Sequence, residues 1–199
     1  MFVENIDKDA LEECPLGHFS GKITVIDRVD ESFTKAIESL SRQKVVGFDT
    51  ETRPTFSSNQ PRAMVSLLQL SGPTRAYLFR INKIGMHHKL CGLLSNPNIV
   101  KVGAAVNDDI SGLCKHHSFV ARNFVDLQKM VGDYGIRDKS VKKMSAIILG
   151  FRISKGQQLS NWEADMLTDA QQLYAATDAW VCREMYLKLL VSEKQPLTD

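Results

Sequence analysis

The stretch Lys44-Val45-Val46-Gly47-Phe48-Asp49-Thr50-Glu51-Thr52 decides how this chain is read. A short β-branched, apolar run ends in two carboxylates one residue apart, with Arg53-Pro54 directly after. Side chains two apart on a strand point to the same face, so the pattern places Asp49 and Glu51 together at a strand end. Two like charges held that close raise each other's pKa unless a cation lies between them. One candidate cation is a divalent metal; Mg²⁺ and Mn²⁺ favour such oxygen ligands. The plainer alternative is a solvated turn whose acids pair with Arg53 or nearby lysines.

The chain around this stretch alternates strand and helix signals. Ile23–Ile26 reads as a short strand, and Asp30 as the N-cap of a helix with Phe33, Ala36, Ile37 and Leu40 on one face. Residues 52–62, rich in Pro, Ser and Asn, read as a loop beside the acidic pair. Met64–Leu70 and Ala76–Phe79 flank the turn residues Ser71-Gly72-Pro73-Thr74 and form a hairpin pattern. A helix through Met86 and Leu94, a strand at 99–103, a helix at 108–115 and a strand at 124–126 follow. From Leu127 onward the signals are helical. Ser140 caps a helix that stops at Gly150, and Ser160-x-x-Glu163 and Thr168-x-x-Gln171 are both capping-box patterns, the second opening a long helix to Leu190. Residues 1–22 show no periodicity and read as a wrapped leader; residues 23–199 read as one α/β domain with a mixed sheet.

Composition sets few limits. The 199 residues carry a formal net charge of +2, too small to argue for or against nucleic acid, so any such evidence is local. The N-terminus has no secretory pattern and no apolar run reaches membrane-spanning length. Four scattered cysteines without a C-x-x-C pair suit reduced thiols. A soluble, intracellular protein, cytoplasmic by default, is the expectation.

Two further acidic elements matter. Val102-Gly103-Ala104-Ala105-Val106-Asn107-Asp108-Asp109 runs from a strand into a helix start, where α/β folds place ligands. Acids there are also favoured by the helix dipole, and Asp108 is read as a capping acid of that kind. Tyr174 and Asp178 are four apart on the last helix and share a face that continues through Val181 and Met185. An acid on such a stripe is partly buried and needs a partner or a metal; a Tyr–Asp hydrogen bond is the structural alternative. The adjacent pairs His87-His88 and His116-His117 have no third ligand in view, and neighbours on a helix do not face each other.

Taken together, Phe48-Asp49-Thr50-Glu51, Val102-Gly103 with Asp109, and Tyr174-x-x-x-Asp178 resemble the tyrosine branch of the DEDD exonucleases, the ribonuclease D and Werner-type group. Asn123–Leu127 and Ser160-Asn161-Trp162-Glu163 are similar to that group as well, and the resemblance covers residues 23–190. It implies a ribonuclease H-like fold: a mixed five- to six-stranded sheet flanked by helices, with a helical C-terminal part. It also implies 3′-to-5′ hydrolysis of DNA or RNA from the 3′ end, with two Mg²⁺ or Mn²⁺ ions and release of nucleoside 5′-monophosphates. By the same analogy Asp49 bridges both ions, Glu51 and Asp178 complete one site, Asp109 holds the other ion, and Tyr174 orients water or phosphate. A phenol with a pKa near 10 does not serve as a simple base at neutral pH. Ala104-Ala105 stand where polymerase proofreading domains carry polar residues, a departure from that subgroup.

Substrate contacts are expected from Thr50, from Phe56 by stacking, and from Lys142 and Arg152. The last two belong to a run of six cations (Arg137, Lys139, Lys142, Lys143, Arg152, Lys155) against one acid, Asp138. Such a run could follow a phosphate backbone or be a solvated face. Two rivals differ in class. In a haloacid-dehalogenase-type phosphatase Asp49 would be the nucleophile and Tyr174-x-x-x-Asp178 would have no role. An inactive nucleic-acid-binding adaptor would keep the fold without the chemistry.

Overall fold

The structure is a computed structural model and describes residues 1–54 and 64–197. The expected loop after Pro54, with Phe56, lies outside the described residues. Six strands form one sheet: β1 (Lys22–Ile26), β2 (Val45–Thr52), β3 (Val65–Ser71), β4 (Arg75–Phe79), β5 (Val100–Gly103) and β6 (Phe124–Asp126), in the order β1-β4-β3-β2-β5-β6. β3 runs antiparallel to β2 and β4, and the other pairings are parallel. The expected mixed sheet and its hairpin are present, the turn closed by Gly72 N–H donating to the Arg75 carbonyl at 2.9 Å.

The period of two along β2 divides its residues between two environments. Val46 and Phe48 enter a core with Phe33, Ala36 and Leu40 of α2 (Glu31–Ser41) and with Leu90 and Leu94 of α4 (His88–Leu94). On the opposite face, Gly47 meets the long helix α8 (Asp169–Leu190) so closely that a Cβ at position 47 would lie 1.7 Å from the Ala179 carbonyl oxygen. Only glycine permits that approach. Asp49 and Glu51, two and four residues on, therefore point toward the same helix.

α8 begins at the capping box read from the sequence. Gln171 N–H donates to Thr168 Oγ1 at 3.2 Å, and Thr168 N–H donates to Gln171 Oε1 at 3.0 Å. Its far side packs Val181, Met185 and Leu189 against Met144 and Ile148 of α7 (Val141–Leu149), so the helix is buried on two sides. Asp30 and Ser140 cap α2 and α7 as expected.

The other capping-box pattern, Ser160-x-x-Glu163, does not open a helix. Ser160 Oγ donates to Gln157 Oε1 at 2.7 Å, while the Glu163 carboxylate receives Arg53 at 3.2 Å and the Ser66 hydroxyl at 3.3 Å. The serine is taken by a local partner and the glutamate by tertiary ones, and residues 160–166 run as turns and bends. Buried Arg80 donates to the Ala164 and Asp165 carbonyls and fixes this wall of the molecule, with Trp162 fully buried behind Tyr174.

Residues 1–22 contain a helix that periodicity did not reveal. α1 (Lys8–Glu13) is capped by Asp7, which accepts from Ala10 N–H at 2.9 Å. Either side of α1 the chain bonds to the segment before α7 and to Arg152 after it: Arg137 N–H donates to the Glu4 carbonyl and Arg152 N–H to the Pro15 carbonyl. Among the described residues the remaining α-helices are α3 (Ile81–Ile84), α5 (Val106–Cys114) and α6 (Leu127–Met130), the last followed by a 3₁₀ turn at Val131–Tyr134.

Candidate active site

At the end of β2, carboxylate oxygens of Asp49, Glu51 and Asp178 all lie within 4.8 Å of one another. β2 supplies the first two and α8 the third, a consequence of the Gly47 contact beneath them. Asp178 is 9% exposed and continues into Val181 and Met185, both fully buried, as its stripe predicts. Asp109 stands outside this trio, in the first turn of α5, and receives the Thr50 hydroxyl at 2.5 Å. Its charge still acts on Asp49, so the fourth acid belongs to the same electrostatic unit.

A backbone device sets Asp109 in place. Ala105 caps α5 with φ 57°, in the left-handed region, and its N–H donates to Asp126 Oδ1 at 3.2 Å. The same oxygen accepts from Gln128 N–H at 3.0 Å and starts α6. Asp126 is thus a positioning residue that sequence reasoning placed on a short strand and within the Asn123–Leu127 resemblance, without assigning it a role. Asp108 lies exposed in the first turn of α5, where its charge suits the helix dipole.

The electrostatics of the cluster are those of uncompensated charge. Burial pushes Asp49 well up, and Asp109, Asp178 and Glu51 add to the shift. Burial, then Asp178 and Asp109, raises Glu51 to about 9. Asp109 rises to about 7 through burial, against the Thr50 hydrogen bond. Asp178 also rises to about 7 through burial, against the Tyr174 hydrogen bond and the charge of Lys155. Arg53, the internal cation the sequence offered, is engaged by Glu163 instead. Among the described residues, no lysine or arginine makes an ion pair with any of the four acids.

Buried, converging carboxylates without a counter-cation fit a hard divalent ion, whose ligands are oxygens and whose charge inverts the local pKa order. Asp49, Glu51 and Asp178 are the residues placed to hold it. Tyr174 donates to Asp178, so the structural alternative read from the sequence is present alongside the site. Burial and the surrounding carboxylates hold the Tyr174 phenol far above its ordinary range, and it stays protonated at any working pH.

A cleft of about 330 Å³ opens over Asp49, Glu51, Tyr174 and Asp178. Thr50, Lys142 and Lys155 also line it, and Lys155 is the cation that lowers Asp178. Thr50 was expected to meet substrate; its hydroxyl is committed to Asp109, which gives it an orienting task as well. Arg152 does not line the cleft but flanks it through Glu12, which it shares with Lys142. The expected free basic track is largely paired: Arg137 with Glu4, Lys143 with Asp138, and Lys142 and Arg152 with Glu12.

Neither histidine pair joins the site. His116 Nε2 bonds the Val65 carbonyl at 2.9 Å. His87 and His88 do face each other, with ring centroids 4.1 Å apart, contrary to the helical expectation. His87 is the N-cap of α4 and lies off the helix, with Nδ1 accepting from Lys89 N–H.

Comparison with known proteins agrees with this geometry. The chain is 29% identical over 186 residues to human exonuclease 3′-5′ domain-containing protein 2, covering 85% of this chain and 30% of that protein. It is 31% identical over 194 residues to the mouse bifunctional 3′-5′ exonuclease/ATP-dependent helicase WRN, covering 92% of this chain and 14% of that one. The chain therefore spans less than a third of either relative. In fold it matches the Aedes aegypti Nibbler EXO domain (TM-score 0.72, 22% identity, 86% and 90% of the two chains). It also matches Escherichia coli RNase D (TM-score 0.75, 23% identity, 85% and 44%). These likenesses establish the ribonuclease H-like architecture, and the exonuclease relatives set aside the phosphatase reading. A family profile described as 3′-5′ exonuclease matches residues 25–192, and the chain belongs to that family of phosphodiester hydrolases.

Proposed function

We propose that this chain removes nucleotides from the 3′ end of a DNA or RNA strand, using two divalent cations, Mg²⁺ or Mn²⁺, and releasing nucleoside 5′-monophosphates. The observation that carries the reading is the trio Asp49, Glu51 and Asp178, within 4.8 Å of one another beside Tyr174 and, among the described residues, in no ion pair with a lysine or arginine. The catalytic unit is residues 23–199, with residues 1–22 laid along it. Asp49, Glu51 and Asp178 would hold one ion; Asp109, oriented by Thr50, would help to hold the second. When bound, such ions offset the charge developing on the phosphodiester and make water a nucleophile at neutral pH.

The chain's own groups supply position. Tyr174, protonated throughout, orients the attacking water or donates to a phosphate oxygen; it does not remove the proton. For it to do so, its hydroxyl would leave Asp178. Lys155, on the cleft wall, meets a non-bridging phosphate oxygen. Lys142 and Arg152 extend the contact to the backbone beyond, and Phe56 is retained as a stacking candidate from the sequence alone.

An oligonucleotide labelled at its 5′ end and incubated with the pure chain and Mn²⁺ tests this. A ladder of progressively shorter labelled products is expected, on single-stranded DNA, recessed duplex DNA or RNA run side by side. A strand that stays full length in every metal while still being retained by the protein would establish the adaptor reading instead.

A further inference from the structure

Glu12, at the end of α1, reaches two cations at once. Its Oε1 accepts from Lys142 Nζ at 2.7 Å, and its Oε2 lies 3.4 Å from an Arg152 terminal nitrogen. The two cations come from opposite ends of one helix region: Lys142 from the first turn of α7, Arg152 from the segment just after it. Lys142 also lines the cleft that holds Asp49, Glu51 and Asp178. A carboxylate accepting from a lysine and an arginine presents the same chemistry as a backbone phosphate between them.

The charge of the leader agrees with such mimicry. Residues 1–13 carry five carboxylates and one lysine, so the rest of the chain carries a formal +6 that the leader partly covers. It covers the stretch 137–152, where cations are concentrated. The contact is anchored on either side of Glu12 by groups other than its carboxylate: Leu11 is buried, and Arg152 N–H and Gly17 N–H close backbone bonds with Pro15 and Arg152 at 2.9 Å. The Glu12 side chain itself is half exposed, at 50%. Its carboxylate can therefore swing away by side-chain rotation while α1 stays in place.

We infer that Glu12 occupies a phosphate subsite formed by Lys142 and Arg152, and that a bound strand exchanges this carboxylate for one of its backbone phosphates. The leader thereby weakens strand binding in the free protein and selects ligands whose phosphate can compete. The inference rests on the nuclease reading for the identity of the strand, and on Glu12, Lys142 and Arg152 for the exchange.

A double-mutant cycle on the full chain tests it, read by fluorescence anisotropy of a labelled oligonucleotide in EDTA so that nothing is cut. Glu12→Gln is expected to tighten Kd about two- to fivefold, as befits release of exposed ion pairs. Lys142→Gln with Arg152→Gln is expected to weaken it, and Glu12→Gln to have no further effect in that background. Unchanged or weaker binding by a folded Glu12→Gln protein overturns the exchange, as does tightening that persists without the two cations. If Glu12→Gln lowers Tm, Glu12→Asp, which keeps the charge one methylene back, is measured instead, with tightening expected and its absence decisive against. Failure here leaves metal-dependent cleavage by the wild-type chain intact. Failure of the nuclease reading shows as an uncut strand in Mn²⁺ whatever the Kd ratios.

Discussion

Tyr174 and Asp49 are each raised by burial first and by neighbouring carboxylates second, yet the two are affected in opposite functional senses. The phenol is kept as a donor, while the carboxylate is left in need of a cation. Tyr174→Phe is therefore expected to lower kcat by about 10²-fold, the lower end for a positioned proton donor. Mn²⁺ affinity, measured by calorimetry, should stay near wild type, and unchanged turnover would remove Tyr174 from the catalytic set. Asp49→Asn should abolish cleavage. It should also stabilise the metal-free protein at pH 8 by about 1–3 kcal/mol, because it removes a buried acid that no described lysine or arginine pairs with. Denaturant melts in EDTA measure this, and a loss of stability would mean that Asp49 has a cationic partner in the folded state.

Among the elements, the packing of α8 on β2 decides whether the acids meet. Gly47→Ala puts a methyl group into the Ala179 carbonyl and is expected to cost about 1–3 kcal/mol, the range for overpacking. Because the helix must move away from the strand, Mn²⁺ affinity should fall with it. Gly92, in the middle of α4, is the control: a Cβ there meets nothing within 4 Å. Gly92→Ala should stabilise the fold by about 0.5–1 kcal/mol through helix propensity alone. Thermal melts that ranked these two glycines equally would contradict the close-contact account.

Sequence reading succeeded where a signal is complete within a few residues. The alternation along β2, the turn at Ser71–Arg75 and the caps at Asp30, Ser140 and Thr168 are local, and each is observed. It failed where a side chain has a better partner elsewhere. Ser160 and Glu163 fit a capping box, but Gln157, three residues back, takes the serine, and the distant Ser66 and Arg53 take the glutamate. The basic run 137–155 looked free because its acids, Glu4 and Glu12, lie more than a hundred residues earlier. Asp126 was legible only as part of the Asn123–Leu127 resemblance, not in its task of holding the turn at Ala105, which depends on a contact 21 residues away.

For the whole molecule, the site is a store of charge repulsion that a metal relieves. Free carboxylates titrate near pH 4 in the unfolded chain. In the folded chain Asp109 and Asp178 titrate at about 7 and Glu51 at about 9. Between those limits the folded form holds protons that the unfolded form has released, so folding is favoured at the acidic end and loses stability as pH rises from about 4 toward 9. The metal-free protein should therefore show a higher Tm near pH 6 than near pH 8.5. Mn²⁺ at one hundred times its Kd should restore about 2.7 kcal/mol at the alkaline end and much less at the acidic end, where protons compete. Differential scanning calorimetry with and without EDTA reads both effects.

The most direct measurement is anomalous scattering from crystals grown with Mn²⁺. Density bound by Asp49, Glu51 and Asp178 is the predicted result, with a second peak between Asp49 and Asp109 when a nucleoside monophosphate is added. Manganese bound elsewhere, or an acid cluster that stays empty at saturating Mn²⁺ and pH 8, would contradict the account.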